Sequence, residues 1–298
     1  MNPSPAPTAD PATGADHLVD TDRYPLHDLD GPRGRELVER ARTELAALGC
    51  TVLRDFVRPE RQEELGSRCA ALAPHAYYDE ETVNVYNIPV DAQLPADHPG
   101  RIPFTRGNAF VARDRIPSDS PLTQLYTSPA FQAFVARCFG LPELHQLADP
   151  LAGLVLNVVE PGMEHPWHFD TNEFTVTMLT QEPDPESGGI FEFCPGIRDA
   201  QRENLDAVRR VITGEGEELV HRLTLRPGDL QLFKGRYALH RVSRVHGDRA
   251  RHSAIFAYSE RPGVIGKLAR TQQLFGRVLP EHLAADGAAS DRVDPLLD

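Results

Sequence analysis

Lysine is almost missing from this chain, since Lys234 and Lys267 are the only two among 31 basic residues. The bias fits a GC-rich bacterial genome and points to no binding surface. Positive charge as a whole is in deficit: 31 Lys plus Arg face 44 Asp plus Glu, a formal net charge of -13. A non-specific grip on nucleic acid or on an anionic membrane surface is therefore disfavoured. No run approaches the roughly 20 consecutive apolar residues that a membrane span needs. The opening segment MNPSPAPTADPATGADHLVD lacks both a basic start and an apolar stretch, so it does not read as a secretory signal. Cysteine is sparse too. Cys50, Cys69, Cys138 and Cys194 lie far apart in apolar surroundings with no CxxC pair, as reduced, buried thiols would. These absences predict a soluble cytoplasmic protein with a disordered tail over residues 1–22 and one domain over 23–298. A chain of this length buries about three quarters of the surface it exposes when unfolded. A homodimer is compatible with the sequence, which specifies no assembly.

The patterning places helices first and strands later. Leu37, Ala41, Leu45 and Leu48 recur at helical spacing within 33–48, and Gly49 supplies the stop. A short strand over Cys50 to Val57 and a helix from Pro59 through Leu65, Cys69 and Leu72 follow. Residues 74–117 show no sustained period and read as loops with short strands. Ser120 to Gly140 reads as another helix. From Leu151 to Glu260 the character changes to short β-type runs: Leu154–Val159, Phe174–Thr180, Ile190–Cys194, Leu219–Leu225, Leu230–Phe233, Leu239–Val245 and Ser253–Tyr258. Gly, Pro and Asp turn signals separate them, and one helix over about 198–213 interrupts them. The expectation is a mainly β fold with flanking helices: a double-stranded β-helix, or cupin-like jelly roll, with core strands at about 151–260.

One segment concentrates chemistry. In His165-Pro-Trp-His168-Phe-Asp170, residues His168 and Asp170 stand two apart, so in extended chain they point to the same side. Together with a distant second histidine they would form a 2-His-1-carboxylate set, which leaves adjacent positions of an octahedral Fe(II) open. His246-Gly247-Asp248 has the same spacing, but its Gly-Asp pair reads as a turn. The distal partner is His240, near the start of a strand. Eleven residues beyond it, Arg251 and Ser253 share one face of the last core strand, where a guanidinium fork and a hydroxyl could anchor a carboxylate. Three classes remain open on these residues: an iron oxygenase, a cupin-like metal- or ligand-binding module without turnover, and a zinc hydrolase. An anchor for a dicarboxylate favours the first.

The run Leu151–Tyr258, with His168-x-Asp170, His240 and Arg251-x-Ser253 in that order, resembles the Fe(II)/2-oxoglutarate-dependent oxygenases. More narrowly, His165-Pro-Trp-His168-Phe-Asp170, the Gly188-Gly189-Ile-Phe-Glu-Phe strand and Gly235-Arg-Tyr-Ala-Leu-His240 are similar to a small bacterial group acting on free amino acids, the lysine halogenases and their hydroxylase relatives. The resemblance implies Fe(II) on His168, Asp170 and His240, 2-oxoglutarate with its far carboxylate on Arg251 and Ser253, and dioxygen as co-substrate. It further implies that Arg106 and His165 hold the α-carboxylate of an amino-acid-like substrate. Halogenating members carry glycine where this chain has Asp170, so hydroxylation is expected, with oxidative ring closure or desaturation as the alternative outcomes. Ile255 and Ala257 stand where lysine-specific members place polar groups, which disfavours free lysine. Asn157, polar within an apolar strand, either faces the substrate or is a satisfied core amide.

Overall fold

Helix α1 (Pro32–Leu48) turns Leu37, Val38, Ala41 and Leu45 inward and ends at Gly49, whose φ of 68° is the left-handed conformation that glycine adopts freely. Leu48, expected on the same face, is exposed. The computed structural model describes residues 16–172, 174–184, 186–286 and 296. Helix α2 (Pro59–Leu72) follows as the patterning predicts, whereas strand β1 (Cys50–Leu53) stops four residues short of the expected Val57, at a turn in which Asp55 takes a φ of 51°. Residues 1–15 of the expected tail lie outside the described residues, but the remainder of that tail is a correction. Leu18 and Val19 are buried, and Val19 bridges to Val57 because this apolar pair completes the core beneath the entry helices.

The next stretch also departs from expectation. Instead of loops with short strands, it holds β2 (Tyr77–Val83) and β3 (Phe104–Val111), seven and eight residues long. β2 is an edge strand carrying Asp79, Glu80 and Glu81, and edge charges hide the apolar alternation that marks inner strands. The predicted helix over Ser120–Gly140 is two helices, α3 (Pro121–Thr127) and α4 (Pro129–Phe139). Pro129 lacks the amide proton that would continue α3, and it forces Ser128 into an extended conformation that caps α4 instead.

Strands β4 (His145–Gln146), β5 (Leu154–Val159), β6 (His165–His168), β7 (Thr175–Gln181) and β8 (Phe191–Cys194) lead to helix α5 (Leu205–Ile212). That helix is half the predicted length, because Asn204 caps it by accepting from the Ala207 amide. Strands β9 (His221–Leu223), β10 (Leu230–Phe233), β11 (Leu239–Val242), β12 (Arg251–Phe256) and β13 (Tyr258–Ser259) complete the β region. Helices α6 (Leu268–Phe275) and α7 (Pro280–Ala285) follow, in a stretch for which the patterning assigned no element.

Among the described residues every strand pairing is antiparallel. The larger sheet runs β1-β10-β7-β12-β5-β3-β2 and the smaller one β6-β11-β8-β9. This is the double-stranded β-helix expected from the sequence. Register gives the larger sheet two unlike faces. Leu154, Leu156, Val158, Val176, Met178, Leu230, Leu232, Ala254 and Phe256 form one face, packed against the helices as the main core. The other carries Arg106, Phe110, Asn157, Ser253, Arg251, Thr177 and Gln231, an unusual density of polar groups for a central sheet. Buried polar groups are costly unless partnered, so this face marks where partners are expected. Among the described residues no helix is long and apolar enough to cross a membrane.

Candidate metal centre and active site

β6 and β11 are neighbours in the smaller sheet, and their register sets His168 opposite His240, with ring centroids 4.1 Å apart. Asp170 comes two residues later, its backbone amide donating to the Gly235 carbonyl at 3.1 Å. Its Oδ1 then lies 3.6 Å from His168 Nε2 and 3.5 Å from His240 Nε2. One ligand atom from each residue falls within 4.8 Å of the others, and among the described residues this is the one group of its kind.

The surroundings prepare these atoms as ligands. His168 Nδ1 is 2.8 Å from the Pro166 carbonyl and His240 Nδ1 is 2.9 Å from the Ala238 carbonyl. A carbonyl can only accept, so in each neutral ring Nδ1 carries the proton and Nε2 presents its lone pair to the common point. Thr175 Oγ1 donates to Asp170 Oδ2 at 2.6 Å, which leaves Oδ1 for a metal. Burial, aided by His240, lowers the His168 pKa to about 4. Burial alone would raise Asp170, but the imidazoles of His240 and His168 outweigh it and hold the carboxyl well below the usual range. At neutral pH the pair is an imidazole and a carboxylate, the forms that bind metal. Gly235 is required by close approach: a Cβ there would lie 2.0 Å from Asp170 Oδ2.

Across from the triad, β12 presents Arg251 and Ser253. Both are buried, and Arg251 Nη1 donates to Ser253 Oγ at 2.6 Å. Among the described residues no carboxylate pairs with Arg251, and burial alone lowers its pKa to about 10. A guanidinium left unneutralised in a sheet interior is a site for an anion. The donor set therefore fits an Fe(II) ion, and the orphaned cation fits the distal carboxylate of a dicarboxylate chelator.

Arg106 is 5% exposed, with its Nε buried and without a partner. His165 stacks on His168, centroids 3.8 Å apart and planes 14° from parallel, and its Nε2 is likewise buried and unpartnered. Residues three apart in a regular strand face opposite ways. Here the β6–β11 register shifts between the His168 and His165 pairs, and this irregularity brings both rings to one side. Asn157 sits between Phe110 and Ser253 in the register, and its amide nitrogen donates to the Ala109 carbonyl at 3.2 Å. His246-Gly247-Asp248 forms a bend packed against Ser187 and Asp184, with His246 and Asp248 exposed. Phe169 stacks between Tyr86 and the Arg198 guanidinium, and Trp167 lies under Arg241, so both aromatics pack around the centre. Sequence reasoning did not single out Thr175, or Gly235 as a steric requirement. Both act only through Asp170, and no spacing rule reports that.

Residues 100–271 match the family described as Halogenase D, more than half of the chain. The chain belongs to that family. A prolyl hydroxylase from Trichoplax adhaerens is 15% identical with a TM-score of 0.51, over 78% of this chain and 96% of that one. AviO1 from Streptomyces viridochromogenes Tue57 is 15% identical with a TM-score of 0.50, over 76% and 96%. An oxidoreductase of the 2OG-Fe(II) oxygenase family from Burkholderia pseudomallei is 16% identical with a TM-score of 0.47, over 76% and 92%. No curated protein matches the sequence. Family membership, the jelly-roll fold and the triad make this chain an enzyme of the Fe(II)/2-oxoglutarate dioxygenase class.

Proposed function

We propose that the enzyme oxidises an unactivated C–H bond of a free amino acid or amino-acid-like small molecule, with hydroxylation as the outcome. The observation that carries this reading is the pairing of a complete two-histidine, one-carboxylate set on one sheet with an unneutralised Arg251 on the other. His168, Asp170 and His240 would hold Fe(II), and Arg251 with Ser253 would hold the far carboxylate of 2-oxoglutarate. When bound, the metal and the oxoacid supply dioxygen activation. The chain's own groups set the geometry. Thr175 and the two carbonyls of Pro166 and Ala238 orient the ligands, while Arg106 and His165 position a substrate carboxylate beside the centre. Asp170 occupies the position that halogenating members leave to glycine, so no halide site is provided and an alcohol is the expected product.

The test is succinate release with Fe(II) and 2-oxoglutarate across a panel of free amino acids, followed by mass analysis. A gain of about 16 mass units identifies hydroxylation, whereas a loss of about 2 identifies desaturation or ring closure. Succinate release that no amino acid stimulates would reject the substrate class.

A further inference from the structure

Phe169 separates two members of the triad, His168 and Asp170, and it is held from several sides. β6 is an edge strand of the smaller sheet, and the loop after β2 closes that edge where the strand ends. The Phe169 amide donates to the Val85 carbonyl at 3.0 Å, and the Asn87 side-chain amide donates to the Phe169 carbonyl at 3.2 Å. The ring stacks on Tyr86, with centroids 6.0 Å apart and planes 12° from parallel, and the central guanidinium carbon of Arg198 lies 3.7 Å from its centroid.

Arg198 opens a tight turn between β8 and α5, where it bridges to Glu203. Asp199 stiffens the turn by accepting from the amides of Gln201 and Arg202. The Arg198 side chain is fully buried, and its Nη1 lies 3.5 Å from Glu203 Oε2. The other Glu203 oxygen accepts from the Tyr86 hydroxyl at 2.6 Å. Arg198 Nε donates to the Arg236 carbonyl at 2.6 Å, one residue beyond the Gly235 carbonyl that accepts from the Asp170 amide. Neither Nη1 nor Nη2 has a hydrogen-bond partner among the described residues. A buried charge with most of its donors idle is a costly way to fill space, and an apolar side chain of similar volume would fill it at less cost. What a guanidinium alone offers is a plane that donates from its edge while its face covers a ring. In Arg198 the edge holds the 235–236 turn and the face holds Phe169.

We propose that Arg198 is a positioning residue of the metal centre: it locks Phe169 against the Gly235–Arg236 turn and so fixes His168 relative to Asp170. This rests on the assignment of Fe(II) to the triad. Glu203 and Tyr86 hold Arg198 in its turn, so two segments that contribute no ligand, the loop after β2 and the turn before α5, set the geometry of the site.

The test uses the full-length protein. R198K keeps a charge beside Glu203 but has no plane to lay on the ring. It is expected to weaken Fe(II) binding by about tenfold, the lower end of what supporting residues of metal sites govern. The measurement is an anaerobic titration with 2-oxoglutarate present, followed by the charge-transfer band at about 500 nm. The gain in Tm on adding Fe(II) separates positioning from packing, because it reads metal affinity whatever the stability of the metal-free protein. Positioning predicts a smaller gain for R198K than for the wild type. A lower metal-free Tm with an undiminished gain would make Arg198 a packing residue and overturn the proposal, as would wild-type Fe(II) affinity in R198K. Where R198K does not fold, Y86F removes only the hydroxyl that holds Glu203. A loss of about threefold in Fe(II) affinity then supports the proposal, and wild-type affinity overturns it. A wild type that binds no Fe(II) sinks the metal assignment and the proposal with it, whereas normal wild-type binding with an unaltered variant sinks the proposal alone.

Discussion

Gly235→Ala tests the metal centre without touching any ligand. The added Cβ would stand 2.0 Å from Asp170 Oδ2, 2.7 Å from its Cγ and 3.0 Å from its Cβ. Ordinary carbon–oxygen contact is about 3.3 Å, so the carboxylate must retreat by more than about 1 Å. Metal–oxygen bonds are only about 2.1 Å long, so that retreat removes Oδ1 from the coordination sphere. It also breaks the hydrogen bond from Thr175 at 2.6 Å. The turn cannot easily give way instead, because the Asp170 amide bonds the Gly235 carbonyl and the Lys234 amide bonds the Gly49 carbonyl. Supporting residues of metal sites commonly govern 10- to 100-fold in affinity. With a ligand displaced outright we expect the upper figure, about 100-fold or ~2.7 kcal/mol. The assay is anaerobic Fe(II) titration with 2-oxoglutarate present, read from the weak visible charge-transfer band near about 500 nm. Circular dichroism and Tm report whether the fold is kept. Wild-type Fe(II) affinity in a folded Gly235→Ala variant would refute the steric reasoning.

Arg251→Lys keeps the charge but loses the fork, so the KM for 2-oxoglutarate should rise by about tenfold while Fe(II) binding in its absence is unchanged; an unaltered KM would clear Arg251 of the anchoring role. Stability should fall as the pH drops from 6.5. Burial, together with the charges of Arg249 and Arg251, lowers the pKa of His252 from 6.5 to about 4. Between those values the unfolded chain binds the proton and the folded chain does not, so acidification costs up to about 3 kcal/mol from this group. In His252→Phe the slope of unfolding free energy against pH over that window should decrease by up to one proton, measured by urea unfolding at pH 7, 6 and 5. Identical slopes would show that His252 titrates alike in both states. The four cysteines are all buried and unpaired. Burial raises Cys50 and Cys194 to about 12 and Cys69 to about 11, so a thiol reagent at neutral pH should label none of them until the protein is denatured; labelling of the native protein would contradict this packing.

The β core was legible because its rules are local. Leu154–Val159 and Leu230–Phe233 are mainly apolar runs, each interrupted by one polar residue, with Gly and Pro close on either side, and both match the structure residue for residue. The convergence of His168, Asp170 and His240 was inferred from order and spacing, and strand register then accounts for it. What escaped was non-local or masked. The charges of edge strand β2 concealed a seven-residue strand, and Pro129 divided a helix whose apolar period runs straight through it. His165 shares a side with His168 only through a register shift, which no periodicity encodes. Helix α6 lies beyond the last core strand, in a segment with no recognisable motif, and only the packing of Leu274 and Phe275 fixes its place on the larger sheet.

The two sheets divide the labour in a way that bears on how such enzymes diversify. On the proposed assignments, the oxidant would be assembled by residues on and just beyond β6 and β11 of the smaller sheet and by one strand in the middle of the larger, whereas the reactant would meet β3, near the β2 edge of that larger sheet. Swapping that periphery would exchange the reactant while leaving the reagent intact.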